Sequence, residues 1–419
     1  MAYEHGAFAN INKSQTKSAT KMNGAPVVVG AMPIENVEDW QNKDLIHRPI
    51  VINSLKEAKE KLGYDESADW SKYPTCEVIS FFFNNPVKPI APVIIINEYD
   101  PAKAQEDEAY KVTAEDVIGT YDASKGQYTG IQAIRRVYPE LLMIPSVVIA
   151  PGYSEDSSVA AAISSICQKL NGHYYSFGLV DLPLTAQSID EAIKHKENAG
   201  LKFEFCAGYW PQWKVTSTNK VYHLSTIGAW RYMCNDNDNS DIPMRTDSNC
   251  DIPAGVQYFG EDSTNKGFDQ ETANQLNQNG IKTAINWAGR SVIWGGHTLG
   301  FKYGADQDAR VIFDTNMRIM IYVANWFQVT FAKTIDDGLT RALKDSVLIE
   351  YQAKLDAMKA MGAFVGVAEV SFNAEDNADE DIINGDFVWA TKLTPTPQLK
   401  SATNNIVMTD EGYASLKSE

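Results

Sequence analysis

The stretch LLMIPSVVIAPG, at residues 141–152, decides the fold class of this chain. Its apolar residues form a nearly unbroken run instead of alternating with polar ones, which is typical of a strand that is covered on both faces. Similar runs recur at residues 91–100 (APVIIINEYD), 177–183 (FGLVDLP) and 201–211 (LKFEFCAGYWP). Strands of this kind occur mainly in parallel sheets with helices on both sides. The sequence therefore predicts an α/β fold around a mainly parallel central sheet.

Segments with helical spacing lie between these runs and beyond them. Residues 154–172 and 188–200 each open with a serine N-cap and acidic residues in the first turn, and each closes with glycine. Two longer helices are predicted near residues 317–335 and 338–361, after a polar, turn-rich stretch that begins at Trp213. The alternation of strands and helices implies right-handed crossovers in the central sheet.

The two ends of the chain differ from this interior. They are polar and carry few large apolar side chains, so we expect them to extend from the body as arms. The predicted organisation is an N-terminal arm at 1–24, the N-terminal part of an α+β domain at 25–90, a central α/β domain at 91–275, a C-terminal α+β domain at 276–397 and a C-terminal arm at 398–419.

The composition is that of an acidic globular protein. The 419 residues include 37 Lys and Arg against 54 Asp and Glu, which gives a formal net charge of −17, and 44% are hydrophobic. An acidic chain without a basic stripe is a poor match for nucleic acid. The sequence has no apolar run long enough to cross a membrane and does not start like a signal peptide. We therefore expect no nucleic-acid partner, no membrane insertion and, from five scattered cysteines, free thiols in a reducing compartment.

Sequence motifs for catalysis and phosphate binding are missing. The nearest approach to a phosphate loop, Gly255 and Gly260, is followed by two acidic residues where Lys and Ser or Thr should stand. There is no G-x-S-x-G string, the six histidines occupy unrelated contexts, and no Cys or His pair has zinc-site spacing. We therefore predict no catalytic residue, no metal site and no cofactor.

Two alternatives from other classes stay open. The parallel sheet by itself would allow a hydrolase that uses acids near strand ends, such as Asp100 and Asp181. The acid and amide cluster at residues 236–247, in a stretch that we interpret as a surface excursion, would allow a calcium-assisted binding module. That stretch lacks the turn glycine and the final bidentate acid of a calcium loop.

Residues 386–394 predict one further strand near the C-terminus. Phe387, Trp389 and Leu393 share one face of it because side chains alternate along a strand. We expect this strand to pair antiparallel with residues 363–372 in the subunit's own sheet. The alternative, in which the strand belongs to the C-terminal arm, stays open.

Several strings, taken in order, resemble the contractile tail sheath proteins of bacteriophages and of phage-tail-like bacteriocins. They are VTAEDVIG (112–119), YTGIQAIRRVYPELLMIPSVVIAPGYS (128–154), VDLPLT (180–185), YWPQWKV (209–215), DIPAG (251–255) and LNQNGIKTAINWAGRSVIWGGHTLG (276–300). The resemblance covers most of the chain, and the order of the strings is more specific than any one of them. His297 stands where the family pattern leads us to expect Arg, so a salt bridge cannot be carried over to this position.

The resemblance implies a structural protein and not an enzyme. It implies a central domain of subtilisin-like topology without a catalytic triad, and a second domain made from the N-terminal strands and the C-terminal half. Subunits of this family form six-fold rings in a helical sleeve around an inner tube, and the sleeve contracts to drive the tube through the target cell envelope. The implied partners are further copies of the chain, the inner tail tube protein, and baseplate and tail-terminator proteins.

The resemblance also implies that the terminal arms add strands to neighbouring subunits. The candidate arm residues are Gly6, Phe8, Ile11, Ile406, Val407 and Met408. Such a protein would assemble in the bacterial cytoplasm and then form part of a virion tail or of a released extracellular particle.

Overall fold

The computed structural model describes residues 24–89, 92–103 and 110–417 of the chain. The strands, in chain order, are β1 (Gly24–Gly30), β2 (Pro49–Ile52), β3 (Val93–Asn97), β4 (Tyr121–Asp122), β5 (Gln127–Tyr128), β6 (Ile144–Ile149), β7 (Phe177–Asp181), β8 (Cys206–Tyr209), β9 (Gln212–Val215), β10 (Val221–Tyr222), β11 (Gly255–Tyr258), β12 (Ile281–Trp287), β13 (Arg290–Trp294), β14 (Phe364–Ser371) and β15 (Ala390–Pro395). The helices are α1 (Leu55–Leu62), α2 (Thr75–Asn84), α3 (Ala114–Ile118), α4 (Val137–Leu141), α5 (Ser157–Gln168), α6 (Ile189–Asn198), α7 (Leu224–Asp238), α8 (Gln270–Gln278), α9 (Asp314–Phe331), α10 (Arg341–Ala360) and α11 (Asp379–Asn384). Within the three described ranges, no helix is both long and apolar enough to cross a bilayer.

Eight strands form one large mixed sheet in the order β13-β12-β8-β7-β6-β1-β3-β2. The six inner strands run parallel to one another, and the outermost strand on each side runs antiparallel to its neighbour. Every residue of β3 and of β7 is buried, as expected for strands that are covered on both faces. The predicted α/β class with a mainly parallel sheet is confirmed.

The large sheet does not divide at the predicted domain boundaries. β1 and β2, which were predicted to lie in a second domain at 25–90, belong to this sheet, and β1 is an inner strand between β6 and β3. β12 and β13, predicted as the start of a C-terminal domain at 276–397, extend the other side of the same sheet. The large sheet therefore crosses the predicted boundaries at 90–91 and 275–276, since β1 pairs with β3 and β6, and β12 pairs with β8.

A smaller unit follows at the C-terminal end. β14 and β15 pair antiparallel, as predicted, and pack with α9 and α10 around a separate hydrophobic cluster. Buried members of that cluster include Trp326, Phe331, Tyr351 and Leu355. The two long predicted helices correspond to α9 and α10; α9 begins and ends a few residues earlier than predicted, and α10 lies within its predicted range.

The prediction of a surface excursion after Trp213 is wrong for residues 224–238, which form the buried helix α7. It is a helix of 15 residues with 12 of them buried, including the polar Ser225, Asn235 and Asp236. Helices at a protein surface show an apolar stripe with a period of 3.6 residues, and this pattern identifies them in a sequence. α7 has no such stripe, because polar and apolar side chains are buried together, so its sequence looks like that of a loop.

Candidate functional site

The end of β1 is the place where a sheet of this class would bind a ligand. Ligands of open α/β sheets lie beyond the carboxyl ends of the parallel strands, where connections diverge to the two sides. β1 ends at Gly30, with β3 on one side and β6 on the other. A Cβ atom added at Gly30 would lie 2.6 Å from Thr75 Oγ1 and 3.1 Å from the Tyr153 ring. Both of these side chains are buried, so protein atoms fill the crevice.

Asp181, one of the two candidate acids, is the last residue of β7 and is 4% exposed. The Ser225 amide donates to one of its carboxylate oxygens at 2.9 Å, and the hydroxyls of Ser225 and Ser154 donate to the other. Burial raises the pKa of the Asp181 carboxyl to about 6, although the nearby His223 opposes the shift. Asp100, the other candidate, accepts a hydrogen bond from its own turn at the Ala102 amide. Within the described ranges, no hydrogen bond or ion pair joins Asp100 to Asp181.

His223 lies between two carboxylates, an arrangement that its sequence context did not indicate. Its Nδ1 atom is 2.9 Å from Glu77 Oε2, and its Nε2 atom is 3.5 Å from Glu155 Oε1. Burial lowers the pKa of His223, but the two carboxylates outweigh burial and raise the pKa well above its ordinary value. Across the part of the chain that is described, no serine hydroxyl is hydrogen-bonded to His223, so the nucleophile and base of a hydrolase are not brought together. The group is an ion-pair network that ties α2 to the start of α7.

A second buried cluster is centred on Lys282 of β12. The Lys282 ammonium contacts Asp314, lies 2.6 Å from Asp247 Oδ1 and donates to the Tyr232 hydroxyl at 2.7 Å. The Tyr209 hydroxyl donates to Asp247 at 2.7 Å, and the Tyr232 hydroxyl donates to Asp314 at 2.6 Å. Burial lowers the pKa of Lys282, but the two carboxylates outweigh burial and hold it above its ordinary value. The charged lysine therefore connects the last residue of β8 and the start of β12 to α7 and α9.

Two acidic residues of the segment 236–247 form ion pairs with basic side chains of the same chain. The Asp236 carboxylate forms a two-contact pair with the Arg318 guanidinium at 2.5 and 3.2 Å, and Asp247 is held by Lys282. The described residues contain no group of three or more His, Cys, Asp or Glu side chains placed to hold a metal ion. The calcium-assisted alternative is therefore a wrong interpretation of this stretch, because Asp236 and Asp247 face fixed positive charges inside the protein.

His297, where the family pattern leads us to expect Arg, occupies an aromatic stack. Its ring lies 3.7 Å from the Phe301 ring between centroids and 5.4 Å from the Phe313 ring, nearly parallel to both. Nδ1 is hydrogen-bonded to the Ile312 carbonyl, and burial lowers the pKa of the imidazole. The position therefore contributes packing, and its polar contact is with the main chain.

The residues of the predicted C-terminal strand lie at the edge of the small unit. Trp389 and Leu393 are partly buried against the cluster of α9 and α10, Phe387 is half-buried, and Val388 is 48% exposed. β15 begins only at Ala390, after the predicted start. The side chain of Asn377 explains the difference, because it bonds both the amide and the carbonyl of Val388 at 2.8 and 3.0 Å and diverts this residue from the ladder.

The candidate arm residues have different positions in the structure. Gly6, Phe8 and Ile11 lie outside the described residues. Ile406, Val407 and Met408 are 80 to 85% exposed, in a segment after β15 that forms no strand.

The two-stranded sheet pairs with no third strand within the described ranges. β14 and β15 pair only with each other within the described ranges. Val365 and Val367, next to Gly366 in a bulge of β14, are 50% and 44% exposed. Gln352 and Lys359 of α10 bond main-chain groups of β14 at Gly366, Ala368 and Val370. The small unit therefore presents the strand edge of β15 and the exposed valines of β14.

Comparisons with curated proteins and with solved structures both find contractile sheath proteins. No family model matches the chain. A relative from Pseudomonas aeruginosa (strain UCBPP-PA14), named as a prophage major tail sheath protein, is 25% identical over 374 residues, or 87% of this chain and 86% of the relative. The tail sheath protein of Escherichia phage P2 is 24% identical over 420 residues, or 99% and 98% of the two chains. The contracted sheath of an extracellular contractile injection system, PVC, has a similar fold, with a TM-score of 0.66 over 98% of this chain and 99% of that one at 14% identity.

Proposed function

The chain belongs to the contractile tail sheath family, and from this premise we propose that it is a structural sheath subunit that exchanges strands with its neighbours. The observation that carries the function is the alignment with the phage P2 tail sheath protein over 99% of this chain. In the proposed assembly, subunits form stacked six-fold rings around an inner tube. Contraction of the sleeve drives the tube through the envelope of the target cell.

Strand exchange is supported by the unpaired edge of β15 and by the exposed tail. A strand edge carries unpaired N–H and C=O groups, and an added strand satisfies them. Ile406, Val407 and Met408 are consecutive apolar residues, two of them β-branched, and the subunit itself does not cover them. We propose that this segment adds to β14 or β15 of a neighbour and that Gly6, Phe8 and Ile11 of the N-terminal arm act in the same way.

A contracting sleeve gives a physical reason for such links. Subunits must change their relative orientation during contraction without separating, so the permanent connections must tolerate rotation. Flexible segments that end in an added strand do this, because the strand keeps its hydrogen bonds while the segment before it changes direction.

The proposed partners are further copies of the chain, the inner tail tube protein, and the baseplate and tail-terminator proteins. Assembly is proposed in the bacterial cytoplasm, before the particle becomes a virion tail or a released extracellular particle. We propose subtilisin-like topology for the parallel core and no catalytic function. The filled crevice at Gly30 and the carboxylate-bound His223 support the second point.

Electron microscopy of the purified chain tests the function. We expect long tubes from the full chain, and folded but unassembled subunits when residues 1–24 or 398–419 are removed. A matched pair sharpens the test of the tail: Ile406→Asp with Val407→Asp should prevent tubes, whereas Ser401→Asp with Thr403→Asp adds the same charge at polar tail positions and should not. A full chain that stays monomeric would contradict the sheath function, and normal tubes from the truncated chains would contradict strand exchange alone.

A further inference from the structure

The C-terminal tail leaves the body of the protein at Gln398. Two residues earlier, the Thr396 amide donates to the Ala363 carbonyl at 3.0 Å and the Thr396 hydroxyl to the Gly362 carbonyl at 2.7 Å. Gln398 is half-buried, Leu399 is 86% exposed, and all side chains at 399–416 are exposed. Gln398 is therefore the last side chain of the described tail that is inserted into the body.

The Gln398 side chain enters a socket at the start of α9. Its Nε2 atom donates to Asp314 Oδ1 and to Thr315 Oγ1, both at 2.9 Å. Asp314 and Thr315 are 0% and 1% exposed. The other wall is Gly296, where an added Cβ atom would lie 2.2 Å from Gln398 Oε1. A larger residue at this position would therefore displace the glutamine amide from the socket.

The socket belongs to the Lys282 cluster. Asp314 Oδ2 receives hydrogen bonds from Lys282, from the Tyr232 hydroxyl at 2.6 Å and from the Thr246 hydroxyl at 2.7 Å. Oδ1 accepts the bond from Gln398. A buried carboxylate oxygen without a partner is costly, so the glutamine completes the hydrogen bonding of an ionic cluster and also fixes the tail.

We infer that this socket is a side-chain clamp that fixes the root of the C-terminal tail and presents the tail to a second copy of the chain. The second half of this inference rests on the proposed strand exchange. The clamp sets a fixed origin, from which the ten residues 399–408 reach at most about 35 Å when fully extended. A pull on the tail would pass through Gln398 to Asp314 and Lys282, and so to the large sheet, without loading the two-stranded sheet alone.

An amide is the group that this socket requires. Gln398 directs two N–H donors at acceptor oxygens and brings no charge into the cluster. Glutamate has almost the same shape but would direct a carboxylate oxygen at Asp314. Gln398→Glu should therefore break the hydrogen bonds to Asp314 and Thr315 while it preserves side-chain size. Gly296→Ala should displace the same side chain from the other wall of the socket.

Hydrogen–deuterium exchange on the unassembled chain tests the clamp. We expect exchange in peptides covering residues 395–400 to be at least about tenfold faster in Gln398→Glu and in Gly296→Ala than in the unchanged protein. Asn404→Asp makes the same amide-to-carboxylate change in the exposed tail and should leave this exchange unchanged. If Gln398→Glu does not fold, Gln398→Ala, which removes the donor without adding charge, is measured in its place.

The outcomes separate the clamp from the sheath function. Unchanged exchange in both socket variants would overturn the clamp, whether or not the chain polymerises. Faster exchange together with loss of tubes in electron micrographs would support the whole inference. Faster exchange with normal tubes would overturn the statement that the clamp presents the tail. If the unsubstituted protein never forms tubes, the sheath function is overturned, and the exchange measurement still tests the clamp by itself.

Discussion

The eight-stranded sheet and the two-stranded sheet differ in what covers their edge strands. At one edge of the large sheet, bridges from Ser248 and Asp251 cover β13, and at the other edge Lys61 donates to the Val51 carbonyl of β2 at 3.0 Å. At the outer edge of β14, the Gln352 side chain of α10 bonds the Ala368 carbonyl and the Val370 amide at 3.0 and 3.1 Å, and Lys359 contacts the Gly366 carbonyl. At β15, no further strand pairs among the described residues. Side chains or neighbouring segments therefore contact both outer strands of the large sheet, whereas the small sheet is open along β15.

The two sheets also differ in burial. All residues of β3 and β7 are buried, but only Phe364 and Ala368 of β14 are buried and none of β15 is. Burial on both faces gives stability, and open edges give places where other chains attach. A sheath subunit needs both properties, and this fold assigns them to separate regions of one chain.

The largest expected effect concerns the body. Lys282→Met should lower the free energy of unfolding by about 3–5 kcal/mol, because it leaves Asp247 and Asp314 as buried charges without a cation. Urea unfolding of the unassembled chain measures it. Lys302→Met is the control, since Lys302 is 56% exposed beside Glu197 and its pair should contribute no more than about 1 kcal/mol. Equal losses in the two variants would show that the Lys282 cluster does not stabilise the large sheet.

The next effect concerns the small unit. Trp389→Ala should destabilise the unassembled chain by about 3 kcal/mol, the low end for this substitution, because Trp389 is only partly buried against the α9 and α10 cluster. Val388→Ala, at a 48% exposed neighbour, should change stability by no more than about 0.5 kcal/mol. Thermal melting measures both. An unchanged melting temperature in the tryptophan variant would move this segment from the subunit's own packing to the arm.

A smaller effect, with opposite sign, is expected at the carboxyl end of the large sheet. Folding raises the pKa of Asp181 to about 6, so the folded chain holds a proton that the unfolded chain has released, and stability falls as pH rises through about 6. Asp181→Asn should remove this dependence and stabilise the chain at pH 8 by up to about 2 kcal/mol, reduced by the lost attraction to His223. Urea unfolding at pH 5 and pH 8 measures it, and an Asn variant that is less stable at pH 8 would contradict it.

The sequence predicted those parts of the fold that depend on local pattern. The apolar runs at 141–152 and 177–183 correspond to β6 and β7, because a strand covered on both faces shows its burial in its own residues. The position of β1 inside the sheet could not be predicted in this way, since its neighbours β3 and β6 lie far along the chain.

The hydrogen-bond partners in the buried clusters could not be predicted either, for the same reason. Lys282 within the apolar string GIKTAIN indicates a buried charge, but its partners Asp247 and Asp314 lie 35 and 32 residues away. His223 and Gln398 likewise have ordinary sequence contexts, and their roles come from residues brought near by the fold. Local sequence therefore does not identify the partners of a buried polar residue, because those partners lie far away along the chain.

The smallest expected effect on stability separates the two sheets most clearly. Val367→Lys places a charge on the bulge of β14, where the side chain is 44% exposed, and should change the free energy of unfolding by no more than about 0.5 kcal/mol. A lysine at an open strand edge opposes the addition of another strand. The variant should therefore melt like the unchanged protein and yet form fewer and shorter tubes in electron micrographs. Leu142→Lys, at a 69% exposed position at the end of α4, should affect neither property. Normal tubes from the Val367 variant would mean that this edge of β14 accepts no strand, and would leave the β15 edge as the position for strand exchange.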